Sequence, residues 1–253
     1  MIQLFPPIKA IRSTAKHSLS PVWPQAFGIT FFVFGLLTLP GLLLQFANMI
    51  SNGFLGEIPY LYPAYLLTYM VFVISPIFLG VARWVWIITA QKEASVSVCF
   101  FYFSSAREYL TALKLAFAFL WRLIPLYILY KSPTFLKYAD LSFAKQYIDL
   151  ELCLKIIGIV VPLLALLLSV MVVVRLFHLP FVIINHPARY LGDNVKEAAV
   201  ISKKTRFNVM SLIAANGGWF LLSLLLFPLP YTLPYLLACW AVMTRFSINY
   251  CLK

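Results

Sequence analysis

The feature that most constrains this chain is a succession of apolar stretches, each long enough to cross a bilayer. A helical span needs about 20 mostly apolar residues. Such runs fall at about 26–50, 60–88, 109–130, 154–176, 208–227 and 229–250. Of the 253 residues, 62% are hydrophobic and only 11% charged. A soluble domain carries about 45–50% apolar and about 25% charged residues. The runs are long and continuous, whereas a barrel would need short segments of alternating polarity. The expected fold is all-α: a polytopic membrane protein with six transmembrane helices, kinked spans and a short cytoplasmic amphipathic helix. Residues 1–25 form a cytoplasmic N-terminal segment and 26–253 the six-helix domain.

Charge sets the expected orientation, because Lys and Arg crowd the short cytoplasmic loops. Lys9, Arg12 and Lys16 precede the first run. The segment to Trp23 has prolines and no apolar core, so it does not read as a cleavable signal. Only Glu57 marks the next loop, and Lys92 and Arg107 mark the one after. Arg175, Arg189, Lys196, Lys203, Lys204 and Arg206 crowd the region after the fourth run, and no charge lies between the fifth and sixth. Both termini are therefore expected in the cytoplasm. Lys131, Lys137 and Lys145 fit this scheme poorly, since they fall on the expected outside. Trp23, Tyr60, Tyr62, Trp84, Trp86, Tyr130, Tyr231, Tyr235 and Tyr250 fall near the expected interfaces. The net charge of +12 is absorbed by this pattern, and no basic soluble domain remains to bind nucleic acid.

A few polar positions need an explanation. Arg122 lies well inside the third span, where a cation is costly. It either snorkels toward the outer end, about 12 Å away, or lines a cavity or holds a lipid phosphate. Lys114 is close enough to the inner end to snorkel. No Asp or Glu falls within an expected span, which argues against proton- or cation-coupled transport. Pro40, Pro76, Pro125 and Pro162 supply candidate helix breaks. Asn216-Gly217-Gly218 reads as a close helix contact with a hydrogen-bonding Asn. Arg175, His178, Asn185 and His186 form a polar set at the inner end of the fourth span. The eight-residue separation of the two histidines is not a usual chelating spacing, and no cofactor or metal is expected. The four cysteines form no C-x-x-C pair and read as packed free thiols.

From Gly192 to Arg206 the chain reads as a short surface helix. Asp193 or Asn194 caps it, Glu197 favours its first turn, and Lys203, Lys204 and Arg206 suit its last turn. Those three cations point to anionic lipid headgroups. Cys99–Arg107 and Asn194–Arg206 show a weak similarity of pattern. Common hydrolase, nucleotide-binding and zinc-protease motifs are missing.

The order of several short motifs resembles one family. Ala15-x-x-x-Leu19 precedes Trp23, and Pro76-x-x-x-Gly80 precedes Arg83. Pro180-Phe181, His186-Pro187, Ala198-Ala199, Ser202 and Lys204 follow, then Gly218-Trp219 and Pro234-Tyr235. This order is similar to bacterial integral membrane proteins with domain of unknown function 975. Asn185 and His186 stand where that family commonly has an Asp, and Thr205-Arg206 where a Gly often follows. The resemblance implies a bacterial inner-membrane protein and no particular activity. The expected function is non-enzymatic, through the lipid bilayer, a membrane-protein partner or a homo-oligomer. The alternatives are a small permease or channel-like transporter and, less favoured, a lipid-modifying enzyme.

Overall fold

The computed structural model describes residues 5–51, 61–136, 150–187, 189–223 and 228–251. Helix α1 (Ile8–Leu19) runs through a 3-10 turn, Ser20–Val22, into α2 (Trp23–Ile50). Helix α3 (Leu61–Tyr69) passes through a π-helical turn, Met70–Ile74, into α4 (Ser75–Ile88). A 3-10 segment, Val96–Phe103, precedes α5 (Ala106–Leu136) and α6 (Leu150–Leu176). The rest is α7 (Leu179–Asn185), α8 (Leu191–Ala215), α9 (Gly217–Ser223) and α10 (Leu229–Cys251). Every regular element among the described residues is helical.

Among the described residues, four stretches are long and apolar enough to cross a membrane: Ile8–Ile50, Leu61–Ile88, Ala106–Thr134 and Lys155–Asn185. Much of their surface faces outward, including Phe46 and Met49 of α2, Trp121 of α5, and Ile159 and Met171 of α6. Hydrocarbon is the solvent such faces require; in water they would form an aggregating patch. The tightly packed core lies elsewhere. It gathers Ile11 and Leu19 of α1, Leu79 and Trp84 of α4, Phe181 and Ile183 of α7, Ile201 of α8 and Met243 of α10. We call this packed part the head.

The local reasons are legible in α1. Ile11, Ala15, Ser18 and Leu19 are buried at helical spacing, while Lys9, Lys16 and His17 are exposed. The apolar stripe lies on α10 and α8. Phe5 meets Tyr250 edge-on, with ring centroids 5.8 Å apart.

Three of the prolines are answered by side chains from nearby. A proline brings no N–H, so the carbonyl four residues earlier loses its helical donor. For Pro76 that carbonyl belongs to Phe72, and the Tyr109 hydroxyl of α5 donates to it at 2.8 Å. For Pro40 it belongs to Leu36, and the Tyr69 hydroxyl of α3 donates at 3.0 Å. For Pro133 it belongs to Leu129, and the Ser132 hydroxyl donates at 2.7 Å. Such repair is what allows proline in a membrane helix.

Several expectations change. Pro40, Pro125 and Pro162 lie inside unbroken helices, and Pro76 alone of the four follows an irregular, π-helical turn. Helix α8 does not stop near Arg206; it runs 25 residues to Ala215, because Phe207 to Ala215 contains neither Gly nor Pro. Trp84 is buried in the head at 1% exposure instead of standing at an interface. The rings of Trp23 and Tyr231 stack 4.5 Å apart, and Arg12 Nε donates to the Tyr235 hydroxyl at 3.0 Å, which ties α1 and the start of α2 to the first turns of α10. Glu57, Lys137 and Lys145 of the expected outer loops lie outside the described residues.

Candidate functional site

The expected polar set divides in two. Arg175 is exposed in the last turn of α6, where a cation complements the helix dipole. His178 turns the other way and is completely buried. Its Nδ1 lies 2.9 Å from Thr244 Oγ1 on α10, and its Nε2 lies 3.2 Å from Thr205 Oγ1 on α8. Both hydroxyls also face their own helix: Thr205 Oγ1 lies 2.8 Å from the Ile201 carbonyl and Thr244 Oγ1 3.0 Å from the Trp240 carbonyl, and each has a single proton to give. A neutral imidazole has one donor and one acceptor, so one hydroxyl must direct its proton to the ring. Thr244 has the longer bond to its own helix and the shorter distance to the ring. We therefore assign Thr244 as donor to Nδ1, with Nε2–H donating to Thr205. His178 thus ties the α6–α7 corner to α8 and α10. One residue earlier, Trp240 Nε1 donates to the Phe177 carbonyl at 2.6 Å, closing the same corner.

Asn185 and His186 stand at the far end of α7. Asn185 Nδ2 and His186 Nε2 are 3.2 Å apart. Arg189 pairs with Glu197 of α8, and His186 lies 3.9 Å from the same carboxylate. Glu197, expected to serve the helix N-terminus, instead gathers the α7–α8 loop. Sequence reading missed this role; the only cue was Arg189 eight residues before it. Among the described residues, no group of three His, Cys, Asp or Glu converges as a metal site would.

Arg122 is half-buried, and its Nη1 donates to the Ala118 carbonyl of its own helix at 2.7 Å. The side chain reaches back toward the start of α5. Asn216 ends α8 and is buried at 2% exposure. Its carbonyl accepts from the amides of Trp219 and Phe220 at 2.9 and 3.0 Å, which starts α9. Gly217 and Gly218 have nothing within 4 Å of the position a side chain would take, so they mediate no close helix contact.

The basic part of α8 is two-sided. Ala198, Ile201, Ser202, Thr205 and Val209 are buried against the head. Val200, Lys203, Phe207 and Met210 share the exposed side at helical spacing, and Phe207 is 73% exposed. The Arg206 guanidinium lies 5.0 Å from the Phe207 ring centre. Lys204 Nζ donates to the Cys251 carbonyl at 3.4 Å, at the C-terminal end of α10. The exposed side combines cations with large apolar groups, the composition of a helix that lies at a membrane surface.

No family model, curated protein or solved structure matches this chain.

Proposed function

We propose that this chain is a non-enzymatic integral membrane protein of the bacterial inner membrane that works through contact with lipid. Its outer α8 face would engage anionic headgroups on the cytoplasmic side. The observation that carries this reading is the mixed exposed face of α8, with Lys203 and Arg206 beside Phe207. Each such cation contributes about 1 kcal/mol near anionic lipid. The likeness of motif order to the domain of unknown function 975 supports the inner-membrane address.

The six-crossing scheme gives way in this proposal to four crossings, by α2, by α3 with α4, by α5 and by α6. The described residues 208–223 and 229–250 then belong to the cytoplasmic head. The Trp23–Tyr231 and Arg12–Tyr235 contacts support this arrangement. An even number of crossings keeps both termini in the cytoplasm, as the charges require.

The test is native mass spectrometry of protein reconstituted with equal phosphatidylglycerol and phosphatidylcholine. The wild type should retain phosphatidylglycerol preferentially. The triple variant Lys203→Gln, Lys204→Gln, Arg206→Gln should lose that preference while still inserting. An unchanged preference would remove the α8 face from the function.

A further inference from the structure

Between α2, α4 and α10 lies a cavity of about 170 Å³. Its walls include Ala26, Thr30 and Leu37 of α2, Ile77 and Trp84 of α4, and Leu237 of α10. The lining is almost wholly apolar. The Thr30 hydroxyl is turned back onto the Ala26 carbonyl at 2.9 Å. Water needs two to four polar partners to settle in a cavity, and this one does not supply them. An apolar cavity of roughly 150 Å³ stays dry and accepts a small hydrocarbon, so this space suits a hydrocarbon of similar size. It is too narrow for a helix, which is about 10–12 Å across with its side chains.

We propose that this cavity receives the end of an acyl chain from a membrane lipid. The occupant follows from where the wall leads. Leu37 lines the cavity and is itself 39% exposed. Through Leu37 the cavity wall therefore reaches the outward surface of α2, which meets bilayer hydrocarbon. From Ala26 to Leu37 the wall rises about 16 Å, at about 1.5 Å per residue, which gives a chain a path along α2. Entry of a chain end replaces empty space with van der Waals contacts.

The proposal rests on the membrane reading above, and the experiment separates the two. Two variants keep one tryptophan each, Trp84 or Trp121, the other five being replaced by Phe. Both are reconstituted in vesicles of phosphatidylglycerol and phosphatidylcholine whose acyl chains carry bromine near the methyl end. Bromine quenches tryptophan on contact. Trp121 is 81% exposed on α5 and should be quenched by surrounding chains. Trp84, 1% exposed, should lose at least half its emission only if a chain enters the cavity. Val33 also lines the cavity, and Val33→Phe, which adds bulk there, should restore the emission. Quenching of Trp121 with Trp84 unaffected overturns the proposal, as does quenching of Trp84 that survives Val33→Phe. Failure of Trp121 to quench would instead overturn the membrane reading. If the single-tryptophan variants do not fold, the wild type is cross-linked with a lipid bearing a photoactivatable group near the chain end. Adducts in the α4 peptide around Ile77 and Trp84 are expected, and adducts confined to α5 and α6 overturn the proposal.

Discussion

The backbone of Cys99 closes directly on Gly80. A methyl group on that glycine would stand 1.8 Å from the Cys99 carbonyl oxygen and 2.6 Å from its carbon. The 3-10 segment Val96–Phe103 can lie against α4 only because residue 80 has no side chain. One turn further, the Arg83 guanidinium covers the Phe101 ring at 3.6 Å, and Tyr102 is completely buried.

Gly80→Ala should therefore be strongly destabilising, by at least about 2 kcal/mol, since overpacking against fixed backbone typically costs about 1–3 kcal/mol or more. Gly35→Ala is the control, because nothing lies within 4 Å of its added methyl group. That change should be neutral or stabilise by up to about 1 kcal/mol through helix propensity. Thermal melting in detergent checks both. Equal melting temperatures for the two variants would mean that the Gly80–Cys99 contact is not present.

Tyr109→Phe should cost about 0.5–1.5 kcal/mol, the usual net worth of one hydrogen bond. The origin of that cost is testable. In a Pro76→Ala background the helix has an amide available again for the Phe72 carbonyl. Tyr109→Phe should then cost measurably less. A double-mutant cycle measures the difference, and full additivity would show that Tyr109 does not answer for Pro76.

His178 and His186 should separate cleanly. His178→Ala removes a fully enclosed side chain that joins Thr205 to Thr244. The loss should be about 2–5 kcal/mol, as for other large-to-small changes in a core. His186→Ala, at the loop beside Glu197, should stay within about 0.5 kcal/mol. Chemical denaturation of the two variants in matched micelles distinguishes them.

Burial pushes the Cys99 thiol up to about 12. At pH 8, well below that value, the group remains a thiol, and thiols react slowly with alkylating reagents. Cys99 should resist maleimide at pH 8 in the folded protein and label after denaturation. Peptide mapping reads this directly. Prompt native labelling would mean that the 3-10 segment opens away from α4.

How much of this was legible in the sequence depends on which force wrote each feature. The four outward-facing apolar stretches were visible because bilayer thickness dictates their length. The basic helix beginning near Gly192 was visible from its spacing, but neither Asp193 nor Asn194 caps it: both lie inside a helix that starts at Leu191, with Tyr190 before it. Its continuation to Ala215 was not, because Phe207–Ala215 reads equally well as the start of a span or as a buried helix. Trp84 was placed at an interface because indoles favour interfaces; only tertiary contacts reveal that it fills the head. Gly80 and Gly217-Gly218 look alike in sequence, yet only Gly80 meets another backbone. Nothing local marks His178 as buried, since its two threonines come from residues 27 and 66 positions away.

Topology offers the last test, because charge cannot separate four crossings from six. Both numbers are even, and the turn before Tyr231 carries no Lys or Arg to vote for either side. The reading as an outer turn therefore came from apolar length alone. Contact with Trp23 supports the cytoplasmic side instead. A single cysteine introduced as Pro228→Cys, in a chain with its four native cysteines replaced by serine, should be labelled in inside-out vesicles by a membrane-impermeant maleimide. It should stay unlabelled in intact cells. Cysteines at Lys16 and Lys203 should behave the same way, while one at Gly53 should label from outside. Labelling of Pro228→Cys from outside would restore the two additional crossings and would be incompatible with the Trp23–Tyr231 stack.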